Sequence, residues 1–312
     1  MNERVRGTVE MTAAMTILGT IGWFVVLSGA APIDVVFWRC VFGAATLFVI
    51  CAAMGLLRGV LTWRLAAIAA LGGVAIVVNW VLLFSAYEHA SIAIATAVYN
   101  TQPFMLVGFG ALFFGERPTL AKLAWLLVAF AGLILIVQSK PGADYVGANY
   151  FIGIAMALGA AFFWALAAVV TKALKGMPPH LIALVQTSVG IAMLAPFANL
   201  ANPPVGFGAW SALATLGIVH TGLMYILMYG AVQKLPTHLQ GALSFVYPVV
   251  AIFVDYAAFG HRLQALQLLG AAAILIAAAG MTLGWTLGWR RHPPANGVSR
   301  PAACPADQPG PG

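Results

Sequence analysis

Apolar residues occur along this chain in ten long stretches, at about 8-28, 34-54, 65-86, 91-114, 120-138, 150-171, 181-199, 208-229, 237-259 and 264-287. Polar residues are largely confined to the short intervals between them. Each stretch is close to the roughly 20 residues that a helix needs to cross a bilayer core. In hydrocarbon every backbone N–H and C=O must be satisfied internally, so unbroken apolar runs of this length predict helices and not barrel strands. The predicted fold class is an all-α integral membrane protein with ten transmembrane helices.

The pattern then repeats itself. Tyr99, Gln102 and Pro103 reappear as Ser244, Tyr247 and Pro248, and the offset of 145 residues (248 less 103) runs without gaps from Ala86/Ala231 to Arg117/Arg262. Ala97 falls on Ala242 and Gly115 on Gly260. A duplication of five spans turns the second copy over in the membrane, because five is odd. Secondary transporters often have this inverted construction, with the substrate site near the bilayer midplane where the repeats meet. The expected division is a first repeat over 1-140, a second and inverted repeat over 141-289, and a tail over 290-312.

Composition agrees with the pattern. The chain is 62% hydrophobic and 7% charged, with mean hydropathy +0.96, whereas a soluble domain carries about 25% charged residues. A formal charge of +7 could suggest nucleic acid as a partner, but the basic residues stand in ones and twos between spans, with no recognition motif. Topology accounts for them better. With the N-terminus cytoplasmic, Arg4, Arg6, Arg58, Arg64, Arg117, Lys122, Lys172, Lys175, Lys234, Arg290, Arg291 and Arg300 lie inside, and Lys140 and Arg262 outside. Such a bias predicts that both termini are cytoplasmic. Cys40 and Cys51 fall within the second span and Cys304 in the tail, so no disulfide framework is indicated. The first span is too long for a cleaved signal peptide and is expected to stay as helix one. The tail, rich in Pro and Gly, is expected to be disordered.

Several residues resemble a known family. Trp23 and Trp164 in the first helix of each repeat, Pro103 and Pro248, and the ending Phe113-Phe114-Gly115-Glu116-Arg117-Pro118 of the fourth span are similar to the drug/metabolite transporter superfamily, ten-helix EamA type. The second copy departs from that ending to Phe259-Gly260-His261-Arg262. The resemblance covers about residues 8 to 287 and is nearest the YddG-type aromatic amino-acid exporters. It implies a basket of helices around a central cavity lined by helices three, four, eight and nine.

Candidate chemistry lies in the repeated segments. A proline inside a helix removes a donor and clashes with the carbonyl four residues back, so Pro103 and Pro248 are expected to kink their helices, free carbonyls near Tyr99 and Ser244, and serve as hinges. Gln240, Ser244 and Tyr247 share one helix face, and Tyr99 and Gln102 stand where Ser244 and Tyr247 stand in the other copy. The same polar groups could instead bond neighbouring helices. Trp80 and Tyr225 supply deep aromatic surface, Asn79 a polar contact, and Trp164 a further wall. Such walls with a few hydrogen-bonding groups describe a pocket for an aromatic or apolar body with a polar head. His220 is the one titratable side chain close to mid-depth, open to proton coupling or to a neutral bond with a neighbouring helix. Arg39 and Asp255 lie in the outer thirds of their spans, where they could snorkel, pair or gate. Glu10, beside Arg4 and Arg6, reads as a surface ion pair.

The leading expectation is a monomeric inner-membrane secondary transporter that exports amino acids, aromatic and other neutral ones, by alternating access. An exporter of drugs or other small metabolites from the same superfamily is the alternative, although a cationic drug usually calls for an embedded carboxylate. No nucleophile with a base, metal-ligand cluster or carboxylate pair lies within the spans, so no enzymatic activity, metal or cofactor is expected. A channel filter signature is also missing from the sequence.

Overall fold

The computed structural model describes residues 2–57, 62–89, 95, 98–138, 150–259 and 264–285, without the side chains of Phe84, Tyr87, Glu88, Tyr150, Asp255 and Phe259. The tail from 290, Ala97, Lys140, Gly260 and Arg262 lie outside the described residues, as does any role for the Asp255 carboxylate. Within them the chain is helical throughout. In order the helices are α1 (Glu3–Gly19), α2 (Ile21–Ser28), α3 (Pro32–Ala53), α4 (Trp63–His89), α5 (Gln102–Phe114), α6 (Leu120–Gln138) and α7 (Tyr150–Ala173). They continue with α8 (Pro179–Leu194), α9 (Phe207–Gly217), a π-helical turn (Ile218–Leu223), α10 (Met224–Lys234), α11 (Thr237–Ser244), α12 (Val246–Phe259) and α13 (Ala265–Leu283). Eight segments are long and apolar enough to cross a membrane, while Gln102–Phe114 and Pro179–Leu194 are shorter apolar helices.

Apolar content places these segments, and local chemistry breaks them. The first span is interrupted at Thr20, between α1 and α2, where the Thr20 hydroxyl donates to Ile17 O (2.8 Å). A second break precedes α5, where Thr101 Oγ1 donates to Val98 O (2.7 Å). A third separates α11 from α12 at Phe245, and there Ser244 Oγ donates to Gly241 O (2.7 Å). Each hydroxyl offers a carbonyl the partner that a continuing helix would have given it.

The breaks before α5 and at Phe245 fall within one turn ahead of Pro103 and Pro248, which stand in the first turns of α5 and α12. The N–H groups of a first turn have no intrahelical acceptor, so a proline loses nothing there.

Packing pairs α4 with α7, and α10 with α1. It also pairs α5 with α7, α12 with α1, α8 with α4 and α9 with α3, while α3 meets α8 and α6 meets α13. Where α3 meets the π-helical turn, the backbones touch. A Cβ on Gly43 would lie 2.6 Å from Thr221 Cγ2, and one on Gly217 would lie 2.9 Å from the Gly43 nitrogen. Only glycine permits this approach, and it brings the middle of α3 against the π-helical turn.

Candidate functional site

A cavity of about 210 Å³ lies between α1, α2, α3, α4, α5, α7, α10, α11 and α12. Its apolar wall is Met15, Leu18, Ile21, Ile76, Leu83, Met224 and Met228. Trp80, Tyr99, Gln102, Trp164, Tyr225, Ser244 and Tyr247 complete it together with Arg39. The rings of Trp80 and Tyr225 meet edge to face at 6.5 Å, and Tyr225 meets Tyr229 at 5.1 Å. Tyr229 stands behind this wall and donates its hydroxyl to Gln186 Oε1.

The polar groups come from the helix breaks. Thr101, Gln102 and Ser244 sit beside them, and Asn100 Nδ2 donates to the Tyr247 hydroxyl (2.9 Å), tying the break before α5 to the first turn of α12. Pro103 packs on α11, 3.1 Å from where a Cβ of Gly241 would stand. The two broken segments therefore touch each other at the cavity.

Seven of the ten side chains expected to bind substrate line this space, and three do not. Asn79 is fully buried and donates to Ala160 O (2.7 Å), which joins α4 to α7. Gln240 donates to Val232 O (3.0 Å) and Leu235 O (2.7 Å) and so closes the end of α10. His220 Nε2 lies 2.8 Å from Thr20 Oγ1 and its Nδ1 3.4 Å from Thr215 O, bridging the break after α1 to the π-helical turn. In each case the side chain reaches a backbone carbonyl, of another helix for Asn79 and of its own stretch of chain for Gln240 and His220.

Arg39, expected to snorkel, pair or gate, instead lines the cavity. It is 5% exposed, its guanidinium carbon stands 4.7 Å above the Trp80 ring, and its Nε donates to Thr221 Oγ1 (3.1 Å). Thr221 in turn donates to Leu216 O (3.0 Å), five residues back, a reach that the π-helical turn provides. Met15, Leu18 and Ile21 were missed, because the break at Thr20 that turns helix one along the cavity carries no proline to mark it.

One end of the bundle carries a cluster of ion pairs and hydrogen bonds. α5 ends at Gly115, whose φ of 64° belongs to the left-handed region that glycine favours, and Glu116 follows it into a cluster. Glu116 accepts from Lys172 Nζ, from Thr237 N (2.8 Å) and from Thr237 Oγ1 (2.7 Å), and Lys172 also donates to Leu235 O (3.1 Å). Burial would push the Glu116 carboxyl up, but the hydrogen bonds from Lys172 and Thr237 and the lysine charge together hold it below the usual carboxylate range. Nearby, Glu10 pairs with Lys234 (2.5 Å) and Arg6 (2.9 Å), so the expected surface pair reaches a second helix. At the other end Asp34 Oδ1 accepts from Asn199 N (2.7 Å), beside a second cavity of about 390 Å³ that shares Trp80 with the first. Among the described residues no group of His, Cys, Asp and Glu could hold a metal ion.

Comparison with known proteins gives this architecture its relatives. The EamA-like transporter family matches residues 8–138 and again 151–283. An uncharacterized transporter of Bacillus subtilis (strain 168), YxxF, is 30% identical over 285 residues, covering 90% of each chain. The aromatic amino acid exporter YddG of Ancylobacter novellus is 26% identical over 170 residues, 54% of this chain and 59% of that one. The threonine/homoserine exporter RhtA of Escherichia coli (strain K12) is 28% identical over 207 residues, 65% of this chain and 66% of its own. A solved crystal structure superposes with a TM-score of 0.79 at 24% identity, covering 89% of this chain and 96% of that one.

Proposed function

Because the chain belongs to the EamA-like transporter family and is a multi-pass protein of the bacterial inner membrane, we propose that it exports amino acids, aromatic and other neutral ones, by alternating access. The observation that carries the reading is the cavity itself, a space of about 210 Å³ with aromatic and thioether walls and a few polar groups of both donor and acceptor kind. Arg39 at its edge opposes a cationic drug. The relatives named for amino-acid export point the same way.

The mechanism follows from the breaks. The chain crosses the membrane ten times, with both termini cytoplasmic, as two inverted five-helix repeats that meet at the cavity. Pro103 and Pro248 mark the segments that swing, and the clusters around Glu116 and Glu10 close the cytoplasmic side. Substrate bound from inside replaces those closures with contacts to both broken helices, and release follows on the opposite face.

Purified protein in liposomes, loaded with labelled tryptophan, phenylalanine or threonine, tests the proposal. Amino-acid flux above that of empty liposomes is expected, measured with and without a pH gradient. A lipophilic cation that moves while no amino acid does would sink it.

A further inference from the structure

Arg39 carries a permanent positive charge, since guanidinium does not deprotonate in proteins. It is 5% exposed and points along the cavity edge over Trp80, its Nε already bonded to Thr221. The ion pairs among the described residues are Arg6–Glu10, Lys172–Glu116 and Lys234–Glu10, and none includes Arg39. A charge buried in a low-dielectric site is stable when an anion meets it. Its terminal N–H groups form the planar fork that matches a carboxylate with two parallel hydrogen bonds.

Gln102 lines the same cavity from the first turn of α5 and is 3% exposed. Its Oε1 is buried without a hydrogen-bond partner, a costly state for a carbonyl oxygen that can only accept. One wall therefore offers unused donors with positive charge, and another an unused acceptor.

Resting on the amino-acid reading above, we infer that Arg39 and Gln102 form a head-group subsite for an α-amino acid, the carboxylate on the Arg39 fork and the ammonium on the Gln102 carbonyl oxygen. The substrate side chain then lies against Trp164 and Tyr225. Charge decides among ligand classes. A cation leaves Arg39 uncompensated, a carboxylate without an amine leaves the Gln102 oxygen bare, and a phosphate dianion asks for more positive charge than one arginine supplies. The subsite selects for the head group and leaves side-chain choice to the apolar walls.

The test measures transport in proteoliposomes with three ligands that share one ring: phenylalanine, phenylalaninamide without the carboxylate, and 3-phenylpropionate without the amine. Wild type is expected to prefer phenylalanine to each of the other two by about thirtyfold in half-saturating concentration, the weight of one desolvated charged contact. Arg39→Gln should raise the half-saturating concentration for phenylalanine by a similar factor and leave that for phenylalaninamide no higher than in wild type, with Arg39→Lys recovering part of the loss. Gln102→Leu should weaken phenylalanine by about tenfold and spare 3-phenylpropionate. Equal handling of all three ligands by wild type would overturn the inference even if no variant folds. So would an Arg39→Gln protein that loses phenylalanine and phenylalaninamide alike. Wild type that moves no amino acid would overturn the functional reading and this subsite together, whereas amino-acid transport indifferent to the head group removes the subsite alone.

Discussion

At the scale of single residues, the site depends on groups that hold other groups. Thr221 orients Arg39 by accepting from its Nε while donating to Leu216 O. Thr221→Val keeps the shape and removes the acceptor, so half-saturating concentrations for amino acids should rise about tenfold, the usual weight of a hydrogen bond to a charged group. Uptake kinetics would show it, and unchanged kinetics would mean that Trp80 alone orients the arginine. Arg39 was visible in the sequence as a buried charge, but its direction was not. In a regular helix Thr221 would bond to Gly217 four residues back, and no residue in 216–223 announces the wider turn. Glu116 makes a different prediction. Its carboxyl pKa is lowered, so its contribution to stability is complete above the unfolded value of about 4.3 and is lost only as pH falls through the lower folded value. The melting-temperature difference between wild type and Glu116→Gln should therefore stay constant from about pH 8 to pH 5 and shrink only in stronger acid. A difference that fades near neutrality would contradict the assigned bonds.

At the scale of elements, the breaks matter more than the helices. A proline in a first turn costs its helix nothing, yet it prevents the segment from fusing with the one before it. Pro103→Ala and Pro248→Ala should thus permit longer, stiffer helices across Asn100–Thr101 and Phe245. Turnover is expected to fall while half-saturating concentrations stay close to wild type, as single-turnover and steady-state flux would distinguish. Unchanged turnover in both variants would make these prolines ordinary. The positions of the apolar segments were legible because burial in lipid leaves the sequence little choice. The interruptions were less so. Proline pointed to two of them within a few residues, but the place of each break is set by Thr101 and Ser244 bonding backward and by Pro103 packing on Gly241. The break at Thr20 rests on a hydroxyl and on a histidine 200 positions away, and local pattern cannot carry that.

At the scale of the whole molecule, the segments that carry the two aligned prolines lie against each other, Pro103 packing on α11. The same alignment could not show that Asn79, Gln240 and His220 serve the frame of the bundle while seven other candidates gather at the cavity, because that division depends on contacts between distant segments. The clusters at one end join distant parts of the chain as well, Glu116 to Lys172 and Thr237, and Glu10 to Lys234. On the proposed orientation, those closures hold most molecules away from cytoplasmic substrate. When the competent form is only a fraction of the population, the apparent dissociation constant is the intrinsic one divided by that fraction. Lys172→Met should enlarge the fraction and lower the internal amino-acid concentration at half-maximal efflux. An unaltered value would show that these bonds do not set the resting population. On the proposed function, efflux then rises with the cytoplasmic pool up to a half-saturating concentration that a few hydrogen bonds set.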